Sequence, residues 1–522
     1  MDDGFIVLRY TAHLLAGQGL VYNIGERVEG FSSPLWVALL AGLEGLTRLV
    51  QGPDPARLQM LNQALGVAAN AGCVVATFLF VRKRLELSLV YQLGAAAAVL
   101  LSWPLIFWSG AGLETSLFAL LVMLSAYRAL DERSFADRRR AVTVLLLTAL
   151  AVCRPEGPLF VAAAGAASWG SLRGQRRGVL FAFGGVGLVY AALLGVRLAY
   201  YGALLPNTFH AKVGGGPLVL LRGGFYLYDY CARGGGAVLG LLALLGVLRW
   251  RTKANDSAEH QACAQLPALA LLATGIAFIF AVGGDGLYCF RFVAHVLPLV
   301  AAYAALGAHA LELRARALPR VAPWARWIGG VALGFAAYFA FRPFVLGERV
   351  LRGARNDWVW ESEQNWLELG RRLGRCLPPA SLLATNIAGK VPYESRLPTL
   401  DLLGLTDTVI ARTKSETMGR GYAGHEKANV EYVADRRPAV LFISVLERAP
   451  LSVIQSAKAS ARLLSATTLS AYAPLLAQAD FEQRYLPALV FISESEGVPV
   501  FLRRDMAEQA RAGQCLQVLD WH

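Results

Sequence analysis

The sequence predicts a polytopic α-helical membrane protein with a C-terminal, extracytoplasmic α/β domain. Three observations lead there. The chain of 522 residues is 56% hydrophobic and 17% charged, and its apolar runs recur up to about residue 345, beyond what a soluble core uses. Helices satisfy their own backbone groups in lipid, so such runs read as helices. Basic residues fill every second loop between the runs, the pattern of positive-inside topology. That placement also accounts for the formal charge of +13. Nucleic-acid binding is excluded as a reading, because no basic groove segment interleaved with aromatics is present.

The chain opens on two adjacent carboxylates, Asp2 and Asp3, at the head of a polar stretch that runs to Trp36. One reading makes them first-turn acids capping the helical pattern that begins Gly4-Phe5-Ile6. The other makes one of them a base, or half of an acid–metal site, acting on a hydroxyl at the membrane surface. A carboxylate beside lipid has a raised pKa, which favours proton abstraction. One acid can cap while the other reacts. Glu26, Arg27 and Glu29 in the same loop read equally as a solvated charge cluster or as sugar-hydroxyl ligands. Tyr10, Tyr22, Phe31 and Trp36 suit sugar rings or an interfacial belt. Residues 34–51 carry Glu44 and Arg48 one helical turn apart, predicting an interfacial or re-entrant amphipathic helix. That leaves the acids outside and predicts one further span before Met1.

Spans are predicted near 60–81, 90–108, 113–127, 141–153, 158–170, 178–199, 235–249, 266–282, 291–312 and 327–344, about eleven with the upstream one. The cytoplasmic loops hold Arg82-Lys83-Arg84, Arg138-Arg139-Arg140, Arg173 with Arg176-Arg177, Arg249 with Arg251, and Arg314 with Arg316. The alternate, outside loops carry Glu114, Arg154-Pro155-Glu156-Gly157, the run from Leu205 to Lys212 with His210, and Gly283-Gly284-Asp285-Gly286. Residues 212–234 read as a Gly-rich outside loop. Arg154 with Glu156, and Asp285 with Arg291, sit at outer span ends, as structural ion pairs or as phosphate ligands. In the second case Arg154, Lys212 or Arg291 grips the oxyanion and His210 assists. The Gly283–Gly286 segment lacks the strand and helix context of a nucleotide fingerprint. Cys73, Cys153, Cys231, Cys263 and Cys289 read as small apolar fillers. Cys376 and Cys515 lie where an extracytoplasmic domain permits a disulfide.

A domain boundary is therefore drawn between 1–345, whose residues 1–59 form the first external loop, and 346–522. The second part mixes an amphipathic helix near 355–375 with apolar strands at Ser381–Asn386 and Ala439–Ser444. Leu489–Ile492 and Val498–Leu502 predict a closing hairpin. Gly424-His425-Glu426-Lys427 is not a zinc-protease helix, because no second histidine follows at the required spacing. No GxSxG elbow or P-loop lysine motif occurs either.

Asp2-Asp3-Gly4-Phe5-Ile6, Arg9-Tyr10, Gly17 through Asn23, Gly25-Glu26-Arg27-Val28-Glu29-Gly30 and Ser33-Pro34-Leu35-Trp36 together resemble the first external loop of bacterial GT-C membrane glycosyltransferases. In particular they resemble the terminal β-(1→2)-arabinofuranosyltransferase-like family of mycobacterial cell-wall assembly. Gly112-Leu113-Glu114-Thr115, Arg154-Pro155-Glu156-Gly157, Leu205-Pro206-Asn207-Thr208, Asp401-Leu402-Leu403-Gly404-Leu405 and Gly424-His425-Glu426-Lys427 are similar to shorter patches of that family. The resemblance implies a GT-C-like bundle in the bacterial plasma membrane. It implies inverting, single-displacement transfer of a sugar, arabinofuranose among the candidates, from a polyprenyl-phosphate donor to an envelope glycan or lipid acceptor on the outer face. Asp2 or Asp3 is then the base. Arg9, Tyr10, Glu26, Arg27, Glu29, Glu114, Arg154, Glu156, His210, Lys212, Asp285, Arg291 and His425 are the candidate donor and substrate ligands. No cofactor is required, although adjacent carboxylates suit a divalent cation such as Ca, Mg or Mn. The chain departs from the family in lacking a span before the acidic pair and in a loosely matched C-terminal domain. Two other readings remain: a transporter or flippase of lipid-linked sugars, and a non-catalytic polysaccharide-binding membrane protein. A transporter places charges near span midpoints, whereas here they sit at outer ends.

Overall fold

The computed structural model describes residues 1–214, 216–257, 265–287, 289–350, 357–415, 418–420, 423–443, 449–450, 470–507, 510 and 516–519. The chain divides into two compact units, Met1–Ser32 with Leu205–Gly214 and Leu351–His522, and Ser33–Leu204 with Gly215–Val350. Sequence reading assigns residues 1–59 and 205–214 to the membrane domain. Residues 1–32 and 205–214 cluster instead with the C-terminal part, held by hydrogen bonds between residues hundreds of positions apart, which no local pattern announces.

The first unit opens with α1 (Asp2–Leu15). The helical unit then begins with α2 (Pro34–Gln51), on which buried Glu44 binds Arg48 at 3.0 Å and also Arg57 of the next helix at 2.8 Å. Helix α3 (Pro55–Lys83) starts where Asp54 accepts the Ala56 amide. It is followed by α4 (Leu89–Leu100), α5 (Trp103–Gly110), α6 (Thr115–Ala129), α7 (Asp137–Cys153), α8 (Gly157–Ser171) and α9 (Arg176–Tyr201). Helix α10 (Asn207–Lys212) returns to the first unit. The helical unit resumes with α11 (Gly216–Ala232), α12 (Gly236–Ser257), α13 (Leu266–Val282), α14 (Arg291–Ala294), α15 (Leu297–Arg316) and α16 (Ala325–Val350).

Each predicted span falls on a helix, and three local readings change. Residues 212–234 contain α11 rather than a loop: Val219, Gly223 and Tyr230 are its buried positions, the spacing of one helical face. The 90–108 run is two helices bent by 51°, and 291–312 is α14 and α15, with Pro298 in the first turn of α15, where its missing N–H costs nothing. By length and composition, Pro55–Arg84 and Arg173–Tyr201 are long and apolar enough to cross a membrane. The bent pairs Leu89–Leu100 with Trp103–Gly110, and Gly216–Ala232 with Gly236–Arg249 at 101°, pass the same test together. That is up to four spans among the described residues, fewer than the ten runs read from hydropathy. The helices Thr115–Ala129, Leu266–Val282 and Trp327–Arg342 are apolar but shorter, and about 20 residues are needed to cross the hydrocarbon alone.

The first unit continues through α17 (Asp357–Cys376), β1 (Leu383–Thr385), α18 (Lys390–Ser395), β2 (Thr399–Asp401), α19 (Thr408–Arg412), α20 (Val430–Arg436), β3 (Val440–Phe442), β4 (Ala449–Pro450), β5 (Tyr485–Phe491), β6 (Glu496–Arg503) and β7 (Leu516–Val518). The strands form one mixed sheet ordered β2-β1-β3-β6-β5-β7, with β4 on β6. Strands β2, β1 and β3 run parallel, while β6 is antiparallel to β3 and β5. The predicted hairpin is β5–β6. Alternation along β3 sends Val440 and Phe442 into one core with Leu369 and Leu373 of α17. Leu441 and Ile443 enter the other core with Ile410 and Tyr472. The sheet is thus covered on both faces, as an α/β domain requires. Cys376 is disulfide-bonded; Cys263, Cys515 and Ser444 lie outside the described residues. Cys73, Cys153, Cys231 and Cys289 are free, and Cys231 is exposed rather than buried.

Helices α12 and α15 meet backbone to backbone at Gly246 and Gly307: a Cβ on Gly307 would lie 1.8 Å from the Leu242 carbonyl oxygen. Gly307→Ala is expected to destabilise the helical unit by about 1–3 kcal/mol, read as a lower thermal midpoint in detergent. Gly240→Ala on α12, where an added Cβ meets nothing within 4 Å, serves as the control and leaves the midpoint unchanged or raised.

Candidate functional site

In the first unit the site is built on one buried cation. Arg9 lies on the inner face of α1 at 4% exposure. Its Nε donates to the Tyr22 carbonyl at 2.8 Å and its Nη2 to the Leu397 carbonyl at 2.8 Å. Nη1 donates to the Pro392 carbonyl, and the guanidinium lies 4.6 Å from the Tyr22 ring centroid. Asn23 completes the join, donating to the Thr399 carbonyl at 2.8 Å and accepting from the Thr399 amide at 3.0 Å. Tyr10 donates to the Val28 carbonyl at 2.5 Å and accepts from the Gly30 amide at 2.8 Å. Arg9 and Tyr10, read from sequence as substrate ligands, are thus engaged with backbone and fix the loop.

This join sets α1 with its first turn against the start of α18. Asp2 Oδ1 accepts the Lys390 amide at 2.6 Å and Oδ2 the Gly389 amide at 3.0 Å. Gly389 permits the approach, since a Cβ there would lie 1.9 Å from the Asp2 carbonyl oxygen. Met1, not Asp2, is the N-cap residue of α1, and it makes no side-chain capping bond. Asp2 therefore caps a different helix. Burial raises the Asp2 carboxyl from 3.8 to about 7, the two amides pull it down, and neighbouring Asp3 pushes it up. Lys390, which sequence reading passed over, is 4% exposed, with its ammonium 5.3 Å from the Phe5 ring centroid. The cation acts on Asp2, while Tyr393 packs edge-on against Phe5 at 5.4 Å.

Tyr22 donates to the Ala388 carbonyl at 2.5 Å, and its hydroxyl feels the charges of both Asp2 and Asp401. Asp401 ends β2 fully buried. It accepts from the Leu403 amide at 2.9 Å and the Thr406 amide at 2.8 Å. Burial lifts its carboxyl from 3.8 to about 6 against those bonds.

Three short sequence patches converge in the same unit. Asn207 of α10 donates to the Gly404 carbonyl at 2.8 Å and the Asp407 carbonyl at 3.0 Å, and its amide donates to the Glu29 carbonyl at 2.8 Å. Lys427 donates at 2.7 Å to the carbonyls of both His210 and Ala411. His425 is exposed, with Nδ1 at 3.3 Å from the Ala423 carbonyl. Glu26 is exposed, accepts from Asn23 at 3.0 Å and faces Arg436 at 3.9 Å; Arg27 is exposed and Glu29 buried.

In the helical unit, Arg154 ion-pairs with Glu114 and, at 2.5 Å, with Glu156, and His295 Nδ1 lies 3.7 Å from Glu156. Glu114 and Glu156 are the N-cap residues of α6 and α8, so one guanidinium ties two helix starts. Arg291 pairs with Asp285 at 2.6 Å and lies 5.4 Å from the Trp108 ring centroid. Just before it, Cys289 and Phe290 adopt positive φ of 58° and 51°, a strained corner. Arg154 and Arg291 each hold a carboxylate, as the ion-pair reading expects.

Among the described residues no three His, Cys, Asp or Glu side chains gather to hold a metal ion. Each Asp2 oxygen already accepts one amide, which leaves one lone pair on each.

A family model described as a domain of unknown function (DUF8728) matches residues 355–495. The chain resembles the terminal β-(1→2)-arabinofuranosyltransferase of Mycobacterium tuberculosis, with 32% identity over 224 residues, 40% of this chain and 34% of that protein. It also resembles the protein of the same name from Corynebacterium glutamicum, with 63% identity over 35 residues, 7% of this chain and 5% of that one. The matched region thus spans about a third or less of these relatives. The oligosaccharyltransferase of Archaeoglobus fulgidus, solved in complex with Zn and sulfate, superposes over 96% of this chain and 69% of its own with 11% identity and a TM-score of 0.49.

Because Asp401 binds its proton more tightly folded than unfolded, stability is predicted to fall as pH rises from 3.8 to about 6. Asp401→Asn should remove this group's part of that slope. It should also lower stability throughout by about 1–3 kcal/mol, because an amide nitrogen faces a backbone donor. Thermal midpoints measured from pH 4 to pH 7 read both effects.

Proposed function

We propose that this chain is a membrane glycosyltransferase that moves a sugar, with arabinofuranose the first candidate, from a polyprenyl-phosphate donor to an envelope glycan or lipid acceptor. The observation that carries the reading is the Asp2 carboxylate. Two amides orient it, burial raises it to about 7, and it lies in a chain similar to arabinofuranosyltransferases. A base near the operating pH combines an ionised fraction with useful proton affinity.

Asp2 takes the proton of the acceptor hydroxyl. The acceptor oxygen forms the new bond to the anomeric carbon as the bond from that carbon to the phosphate oxygen breaks. Polyprenyl phosphate departs with the electron pair, and the single displacement inverts the anomeric centre. Asp3 raises the basicity of Asp2 through its charge, and Lys390 opposes it, keeping the base ionisable in a partly buried place. The chemistry needs no nucleotide and no metal step. The helical unit is read as GT-C-like, holding the prenyl chain in the bacterial plasma membrane, with the first unit on the extracytoplasmic side. The ion pairs Glu114–Arg154–Glu156 and Asp285–Arg291 are assigned to fixing helix starts within the helical unit. Transport is the weaker reading, since these charges sit at helix starts rather than at midspan.

The test is transfer of label from polyprenyl-phosphate arabinofuranose to an arabinan oligosaccharide by purified protein. Asp2→Asn should lower kcat by about 10²- to 10⁴-fold, and Asp3→Asn by less. For the wild type, kcat/KM should rise with pH and level off above about 7. Full rate in both variants overturns the base assignment, and no transfer by the wild type overturns the enzyme reading.

A further inference from the structure

One peptide group joins Asp2 to a side chain that the transfer chemistry does not use. Asp2 Oδ2 accepts the Gly389 amide at 3.0 Å. The carbonyl of that same peptide, on Ala388, accepts the Tyr22 hydroxyl at 2.5 Å. A peptide group is planar, with its carbonyl and amide pointing opposite ways. Fixing the carbonyl therefore fixes the direction of the amide. Gly389 itself gives little hold on that plane, because glycine leaves the backbone free to turn. A larger residue is blocked there, since an added Cβ would lie 1.9 Å from the Asp2 carbonyl oxygen.

Tyr22 is buried and held from several directions. Its ring centroid lies 4.6 Å from the Arg9 guanidinium, its backbone carbonyl accepts Arg9 Nε at 2.8 Å, and the Tyr10 ring stands 6.0 Å away. Its hydroxyl also hydrogen-bonds with the Thr406 side chain. The Thr406 amide donates to Asp401 Oδ2 at 2.8 Å, and the Thr406 hydroxyl lies 3.2 Å from the same oxygen. The bonds thus run from Asp401 through Thr406, Tyr22 and one peptide to Asp2. Hydrogen bonds in such a chain polarise one another, so a donor on the carbonyl strengthens the amide at the other end.

Burial is the largest influence on Asp2, opposed first by the Lys390 amide. Asp3 of α1 then raises its proton affinity, and the Gly389 amide and the Lys390 charge lower it. Further along α18, Tyr393 packs on Phe5 and Glu394 pairs with Arg371 at 3.2 Å. The Tyr22 hydroxyl reaches Asp2 by charge and through the shared peptide.

We propose that Tyr22 is a positioning residue for Asp2, acting through the Ala388–Gly389 peptide to aim the amide that stabilises the carboxylate. The proposal rests on the reading of Asp2 as the base and adds the residue that sets its orientation and strength. Without the hydroxyl, the Ala388 carbonyl loses this donor and the amide turns or weakens. The ionised carboxylate then loses support, and its proton affinity rises.

The test reads Asp2 without a transfer assay. Carbodiimide, used with an amine, labels protonated carboxyl groups, so labelling of Asp2 in the purified full chain falls as pH passes its midpoint. Mass spectrometry of the tryptic peptide ending at Arg9 separates Asp2 from Asp3. Tyr22→Phe keeps the ring beside Arg9 and removes only the hydroxyl. Its Asp2 midpoint should lie about 0.5 to 1 pH unit above that of the wild type. Thr406→Val, one bond further from Asp2, should move it the same way by less. Tyr10→Phe loses its bonds to Val28 and Gly30 instead and should leave the midpoint in place.

A Tyr22→Phe midpoint that stays or falls overturns the proposal; if that variant does not fold, Thr406→Val decides on the same terms. An equal shift in Tyr10→Phe also overturns it, since that marks general loosening of the loop. The transfer assay separates the link from the base. If the Tyr22→Phe midpoint rises while Asp2→Asn transfers at full rate, the link stands and the base assignment falls. If Asp2→Asn loses transfer while the Tyr22→Phe midpoint stays, the base stands and the link falls. Where both hold, Tyr22→Phe moves the rising limb of kcat/KM to higher pH by the same amount.

Discussion

Burial of the Arg9 guanidinium is the constraint on which the arrangement of the first unit depends. A charge taken out of water is tolerated only where acceptors surround it. Three of its acceptors are backbone carbonyls, one from Tyr22 in the first loop and two, Pro392 and Leu397, more than 380 positions away. Carbonyl acceptors do not depend on side-chain identity, so α1, the loop to Asn23 and the segment between α18 and β2 must meet in one geometry. Removing any of these segments would leave a buried charge uncompensated. The first 32 residues are therefore part of the α/β unit even though the chain leaves it for the helical unit and returns.

That join has a second effect. It sets the first residue of α1 against the amides that open α18, where Asp2 is under opposing influences. Loss of solvent disfavours its charge more than two amides favour it, and the adjacent Asp3 tips the balance further. A carboxylate held in that conflict is a poor stabilising element, with a proton affinity raised to about 7. Asp401 shows the same conflict, with its bonds closed within its own turn. Two desolvated acids can thus serve different ends: a half-buried one oriented at the start of a helix beside a second acid, and a fully buried one locking a strand end.

Much of the fold was legible because period and composition report local structure. Each apolar run is helical, two of them as pairs of helices, and the β5–β6 hairpin followed from two short apolar runs around a polar turn. Readings failed where glycine or proline was taken as punctuation. Residues 216–232 are helical despite their glycines, since an apolar face at helical spacing outweighs the intrinsic cost of glycine, about 1 kcal/mol each. Pro298 begins a helix inside what looked like a continuous span. Hydropathy averages do not sense bends of the kind at residues 101–102 and 233–235, where the chain turns by 51° and 101°.

For the site, the acidic pair stood out in the sequence because two carboxylates at the head of an apolar chain are costly without a role. The convergence of Asn207, Gly404 and Lys427 had no such signal: each patch is short, and their bonds join residues up to 217 positions apart. Lys390 looked ordinary for the same reason. By itself, then, the sequence determined the helical and α/β character of the two parts and the presence of an unusual acidic start. Only the tertiary structure decided which segments share a unit, that Arg9 donates to three backbone carbonyls, and that Asp2 sits on the amides of α18. Periodicity records which face of an element is buried, whereas a long-range hydrogen bond to a backbone carbonyl leaves no mark on the residue that provides it.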